Sequence, residues 1–228
     1  AFTSGIQNAS GALSADVRVG GTWKDPDLAG YLALANGALD IPALGVRYDS
    51  ISGRTEFAGD SAEVRHLTIA GGGGTLDVHG SVNFEELTRP VLALHMDARG
   101  FHAIDQRNFL KLYASGHFDL EGPFYGATFS GSGTADEGAL YFADLLNKRV
   151  IDLDDPTTLD LVDTTVVRRR GLGQGFSSRF MEELAVSDFN LTIGHEFWLR
   201  WTDANIQLAG DVRVDKRLVN LAPFRPWV

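Results

Sequence analysis

The sequence predicts an all-β fold made of long, mostly antiparallel strands, and three observations predict it. Apolar and polar residues alternate with period two through much of the chain, so one set of side chains falls on each face of a pleated strand. Glycine is 26 of 228 residues, above the usual ~7%, which suits many tight turns. Helix-type apolar spacing is scarce. The clearest unit is Gly74–Ala98, GTLDVHGSVNFEELTRPVLALHMDA. There Leu76, Val78, Gly80, Val82 and Phe84 alternate with Asp77, His79, Ser81, Asn83 and Glu85. Beyond a polar break at Pro90, Leu92, Leu94, Met96 and Ala98 resume the apolar face. This is an antiparallel pair with one apolar and one wet side.

The other elements follow in order. Leu13, Ala15, Val17 and Val19 define an opening strand, ended by the polar loop Lys24-Asp25-Pro26-Asp27. Leu28, Gly30, Leu32 and Leu34 share the next face, and Asn36-Gly37 signals a hairpin before a strand with Leu39 and Ile41 that Pro42 ends. Two further runs cover Leu44–Tyr48 and Ile51–Phe57, with a turn at Gly59-Asp60. From Ala62 to Ile69 the alternation slips near His66, as a β-bulge would make it. Gly71 to Gly74 then lead into the pair described above. From Gly100 to Tyr113 the pattern weakens to a loop with one helical turn. Strand grammar returns around Phe118 and Leu120, and again at Phe129, Gly131 and Gly133. Residues 143–185 read as short helical or irregular segments, with helix-like spacing around Phe180 and Leu184. The end is β again: Leu191 and Ile193, then Phe197, Leu199 and Trp201, then Ile206, Leu208, Val212 and Val214. No Gly/Ser-rich or Pro-rich linker divides the chain, so residues 1–228 read as a single domain, cut from a longer protein.

The net charge of −10 argues against a nucleic-acid binder and against electrostatic docking on an anionic membrane, both of which need clustered Lys and Arg. The absence of cysteine excludes disulfides and thiolate metal sites. No apolar run approaches the ~20 residues a membrane helix needs.

No pattern in the chain demands catalysis. His79, His95 and His117 sit on the polar faces of their strands, without the close spacing of a metal motif, and read as solvated strand histidines. Gly71–Gly74 are followed by a strand where a phosphate loop needs a helix, and read as a turn. The acidic stretch from Asp152 to Asp163 lacks the order of an EF-hand, and Arg168, Arg169 and Arg170 read as a solvated turn. There is no GxSxG elbow. Trp198, opposite the Phe197–Leu199–Trp201 set, is the lone aromatic for a carbohydrate-binding reading. Catalytic residues, cofactors and metals are therefore not expected.

The apolar stripes leave two architectures open. A sandwich or closed barrel with a dry core is the common outcome. Long strands in sequence with short connections favour a continuous meander, and Gly30, Gly80, Gly131 and Gly210 interrupt the stripe where a sheet would bend. A strongly curved sheet would enclose a greasy trough in place of a filled core.

Three stretches carry a family resemblance: residues 21–46, GTWKDPDLAGYLALANGALDIPALGV, residues 71–82, GGGGTLDVHGSV, and residues 195–214, HEFWLRWTDANIQLAGDVRV. In this order they resemble the C-terminal region of the TamB family, related to AsmA-like and bridge-like lipid-transfer proteins. The resemblance implies a β-taco, a long curved antiparallel-rich sheet incompletely closed around an apolar groove. It also implies a periplasmic protein of a Gram-negative-type bacterium, anchored in the inner membrane when full-length. Such proteins carry phospholipid between the two membranes and contribute to outer-membrane biogenesis. An alternative role is that of a periplasm-spanning docking module for a TamA-like outer-membrane barrel in protein translocation and assembly.

On this reading phospholipid acyl chains are the ligand, and the groove is lined from several strands. Val17, Leu32, Leu34 and Val64 come from the first part of the chain, and Leu76, Val78, Leu92, Leu94 and Met96 from the central pair. Phe118, Leu120, Phe129, Ile206, Leu208 and Val212 complete the lining. An eight-residue strand spans roughly 27 Å, wide enough to wrap acyl chains. Such a lining removes most of the ~0.8 kcal/mol per CH₂ that a lipid tail would cost in water.

Overall fold

A computed structural model describes residues 6–22, 24–84, 87–106, 109–141, 180, 183–201 and 204–216. Ten strands form one sheet in sequence order: β1 (Gln7–Thr22), β2 (Asp25–Ile41), β3 (Val46–Gly59), β4 (Ser61–Gly71), β5 (Gly74–Asn83), β6 (Val91–Gln106), β7 (Leu110–Pro123), β8 (Thr128–Tyr141), β9 (Ala185–Trp201) and β10 (Ala204–Lys216). The sheet is curved and does not close into a barrel; β1 and β10 are its two edges. Every neighbouring pair is antiparallel except β8 and β9, which run parallel. Hairpins join the antiparallel neighbours, whereas a parallel pair needs a long return connection, here the stretch between Tyr141 and Ala185. Of the segment expected to be helical or irregular, 143–185, residues 143–179, 181 and 182 lie outside the described residues, Phe180 and Glu183 are helical, and Ala185 already opens β9.

The central pair has the expected register: Leu76 opposes Ala98, Val78 opposes Met96, Gly80 opposes Leu94 and Val82 opposes Leu92. The slip near His66 is a bulge, since Arg65 and His66 together face His79 between the Val64–Gly80 and Leu67–Val78 pairs. Four expectations are corrected. Asn36-Gly37 is not a hairpin. β2 runs through it, Asn36 takes a left-handed φ of 51°, and the register shifts on both sides of Gly37. Left-handed Asn suits a bulge as well as a hairpin turn. The runs 44–48 and 51–57 form a single β3 from Val46, bulged around Ser50, whose φ is 54°. The stretch from Gly100 to Tyr113 is not a loop with a helical turn. β6 continues to Gln106 and β7 starts at Leu110, with register shifts at Ala98/Phe101 and His102/Ile104 scrambling the alternation. The loop at Lys24 is also tighter than expected, because Pro26 already pairs with Gly21 at the first residues of β2, where proline is tolerated.

Two of the glycines that interrupt the stripe show why no other residue serves. Gly30 has φ +119° and a Cβ there would lie 1.8 Å from Asp16 O, while Gly80 has φ +136° and its Cβ would lie 2.1 Å from Ala93 O. Each lets the neighbouring backbone approach where a side chain would collide.

Substantial contacts join sheet neighbours only, with one exception: β6 also touches β3 and β4. β4 and β5 are shorter than β3 and β6, so beyond the Gly71–Gly74 turn the outer two strands fold together over it. The result is the one cluster of buried residues there, Val46, Tyr48, Ile51, Ala98 and Phe101. Tyr48 and Phe101 stack at 5.1 Å between ring centroids, and Tyr48 donates its hydroxyl to Ala103 O at 3.2 Å. The β2–β3 turn is tied to the end of β6 by Asp105 N–H donating to Leu44 O at 2.8 Å. Glycine is needed at Gly45, whose φ is +70° and whose Cβ would meet Asp105 O at 2.0 Å. Burial pushes the Tyr48 phenol up to about 12.

Candidate functional site

The two faces of the sheet differ in kind. Partner by partner across all ten strands runs Leu13–Leu34–Gly53–Leu67–Val78–Met96–Phe118–Gly131–Phe189–Val214. Every member is apolar or glycine. Nine steps of about 4.8 Å make this ladder roughly 43 Å long. The adjacent row, Ala15–Leu32–Thr55–Val64–Gly80–Leu94–Leu120–Phe129–Val186–Lys216, carries two polar members, Thr55 within the sheet and Lys216 on its edge strand. Phe118, Phe129 and Phe189 form an aromatic triangle with centroids 5.4–5.9 Å apart on this face. Leucines and phenylalanines on one face of a sheet normally bury against a second layer. Among the described residues no second layer packs here, apart from the corner where β3 meets β6.

Exposure follows from that geometry. Of the residues expected to line a groove, Val78 and Leu92 are buried. Leu32, Leu34, Val64, Leu76, Leu94, Met96, Phe118, Leu120, Phe129 and Leu208 are half-buried. Val17, Ile206 and Val212, on the edge strands, are 40%, 46% and 41% exposed. The register places all of them on the apolar face. Leu13, Leu67, Phe189 and Val214 belong to the same ladder and were missed. Leu13 carried the period-two signal in full, whereas Leu67 follows the bulge at His66 and Phe189 follows the left-handed Asp188, at φ 51°.

The opposite face is polar and ion-paired. Arg65 pairs with Glu56 at 2.9 Å, Arg47 with Asp40 at 2.9 Å, Arg99 with Asp77 at 3.2 Å and His95 with Asp119 at 2.6 Å. The guanidiniums of Arg54 and Arg65 hold the Glu56 carboxyl below the usual range. His79, His95 and His117 lie on this face as expected, the latter two bonded to Asp119 and Asp97. His102 stacks on Tyr113 at 4.3 Å, and burial depresses its imidazole. Trp198 lines a shallow hollow of about 460 Å³ with Lys111, Glu137, His195 and Arg200. Gly71–Gly74 form the β4–β5 turn, with Gly71 against the Tyr48 and Phe101 rings. The acidic stretch 152–163 and the arginines 168–170 lie outside the described residues. Among the described residues no group of three His, Asp or Glu side chains gathers to hold a metal.

The arrangement can therefore offer a long apolar surface, partly exposed on one side of the sheet, with a polar and ion-paired face behind it. A family model described as the TamB C-terminal domain matches residues 63–225. No curated protein and no solved structure matches the chain.

Proposed function

The chain belongs to the TamB family of bacterial envelope proteins, by a match over well over half its length, and we propose that it forms the wall of a conduit for phospholipid acyl chains in the periplasm. The observation that carries the reading is the unbroken apolar ladder from Leu13 to Val214 on a sheet that, among the described residues, has no covering layer over most of that face. An apolar surface roughly 43 Å long exceeds the ~30 Å hydrocarbon core of a bilayer, so an acyl chain bound along it stays out of water over its whole length. At ~0.8 kcal/mol per CH₂, that shelter offsets the main barrier to moving lipid through an aqueous compartment. The lining residues are those named above, and the reading asks for no catalytic group. The test is native mass spectrometry of the purified chain with lipid extraction. Co-purified phospholipid, displaceable by a fluorescent lipid, is expected; a chain free of lipid that ignores the probe would overturn the reading.

A second reading rests on the sheet edges. β1 is exposed along its whole length and β10 along most of it, and an unpaired edge accepts another strand. A TamA-like outer-membrane barrel is the proposed partner. Proline placed at Val19, 68% exposed on β1 and outside the lining named above, should abolish capture of such a barrel while leaving lipid binding in place; capture that survives the substitution excludes pairing through β1.

A further inference from the structure

The polar face of β5, β6 and β7 carries a pattern that the apolar ladder does not use. Asp77-Val78-His79, His95-Met96-Asp97 and His117-Phe118-Asp119 lie side by side. Their middle residues are three consecutive members of the apolar ladder. Their flanking residues form two polar rows behind it, Asp77–Asp97–His117 and His79–His95–Asp119. In the second row the His79 and His95 rings are exposed, with centroids 5.4 Å apart and planes inclined by 35°.

A metal held by two imidazole nitrogens at about 2.0–2.1 Å, with a near-tetrahedral angle, sets the ring centroids roughly 5–5.5 Å apart. The pair already stands at that separation. Asp119 Oδ1 is 2.6 Å from His95 Nδ1. An ionised carboxylate only accepts, so Nδ1 carries a proton, and in the neutral imidazole the Nε2 lone pair is then free to ligate. A carboxylate fixing one ring nitrogen so that the other can ligate is the usual support of a metal-binding histidine. The surroundings are anionic: three carboxylates, Asp77, Asp97 and Asp119, stand against the Arg99 guanidinium that pairs with Asp77.

We propose that His79 and His95 form a two-imidazole site for a borderline divalent transition ion, with Asp119 as positioning residue and water in the open coordination positions. Imidazole ligands suit Zn²⁺, Ni²⁺ and Cu²⁺ and disfavour Mg²⁺ and Ca²⁺. The ion links β5 to β6 directly behind the Val78–Met96 pair, so its consequence is a stiffer wall at that point of the ladder.

The experiment is a Zn²⁺ titration of the purified chain, followed by calorimetry and by long-range ¹H–¹⁵N spectra of the histidine rings. One equivalent is expected, with the His79 and His95 Nε2 resonances shifting. His79→Ala and His95→Ala should each weaken binding at least about tenfold, and Asp119→Asn by about 10–100-fold. Asp119→Asn should also change the His95 tautomer in zinc-free protein without altering the melting temperature. His195→Ala, at an exposed position on β9, should leave the titration unchanged. No zinc uptake, or uptake that persists in the His79→Ala/His95→Ala double variant, overturns the site. An Asp119→Asn variant with unaltered affinity and tautomer overturns the positioning role.

Discussion

Replacing Leu94 by glutamate separates a lipid-facing residue from a core residue. Leu94 is half-buried, lies opposite Gly80 and Leu120, and has no second layer above it among the described residues. In the lipid-free protein the carboxylate therefore reaches water, and the cost to folding is confined to part of one leucine's burial, about 1–2 kcal/mol. With an acyl chain in place the situation reverses. One strand spacing of about 4.8 Å spans roughly four methylene groups, and a hydrated carboxylate there denies the tail their burial. At ~0.8 kcal/mol each the loss is about 3.2 kcal/mol, a fall in affinity of roughly 200-fold. The assay is displacement of a fluorescent phospholipid, run beside thermal melts. Ala93→Glu, one residue along on the polar face, supplies the same charge where no tail should reach. Equal lipid affinity in Leu94→Glu and Ala93→Glu would refute the reasoning, and a Leu94→Glu protein that unfolds would make Leu94 a core residue.

Other substitutions probe the corner where β3 folds onto β6. Phe101→Ala removes the ring stacked on Tyr48 from a site 7% exposed and should cost about 3–5 kcal/mol in urea unfolding. The Tyr48 phenol, pushed up to about 12 by burial, binds its proton more tightly in the folded than in the unfolded chain. That contribution is fully present below the unfolded value near 10 and is lost as pH rises through 12, a decline of at most about 3 kcal/mol; Tyr48→Phe should flatten this alkaline slope in denaturant titrations. Gly80→Ala forces a side chain onto Ala93 O at φ +136° and should destabilise by about 1–3 kcal/mol, measured as a lowered urea midpoint with unchanged slope.

Much of the sheet could be read from side-chain alternation because each half-buried strand states its faces independently. Leu76 to Val82 and Leu92 to Ala98 needed no distant partner to be assigned. Alternation fails where the backbone inserts a residue. Asn36, Ser50 and Asp188 occupy left-handed conformations, and beyond each the pattern changes phase, so a bulge imitates a hairpin or the end of a strand. Gly100, with φ 54°, does the same in the middle of β6. The candidate groove was legible to a similar degree: most residues inside clean runs were assigned, though Leu13 and Val214 were passed over there, and those beyond bulges, Leu67 and Phe189, were lost. The His79–His95 pair was legible as two polar-face histidines, but their opposition depends on the β5–β6 register, which neither strand encodes alone.

By itself the sequence determined that this chain is a sheet with one apolar and one wet face, because a period of two is a local property of the pleat. It determined the family style as well, through the order of its Gly, Asp-Pro and aromatic motifs. Three matters were left to the tertiary structure: the parallel return of β9 onto β8, the folding of β3 onto β6 over a short hairpin, and the lack, among the described residues, of a covering layer over the rest of the apolar face. Alternating strands satisfy a sandwich, a barrel and an open curved sheet equally well. What distinguishes them is whether two apolar faces meet, and that depends on curvature accumulated over ten strands, through glycines such as Gly30 and Gly80 whose backbone geometry shows only in the folded sheet.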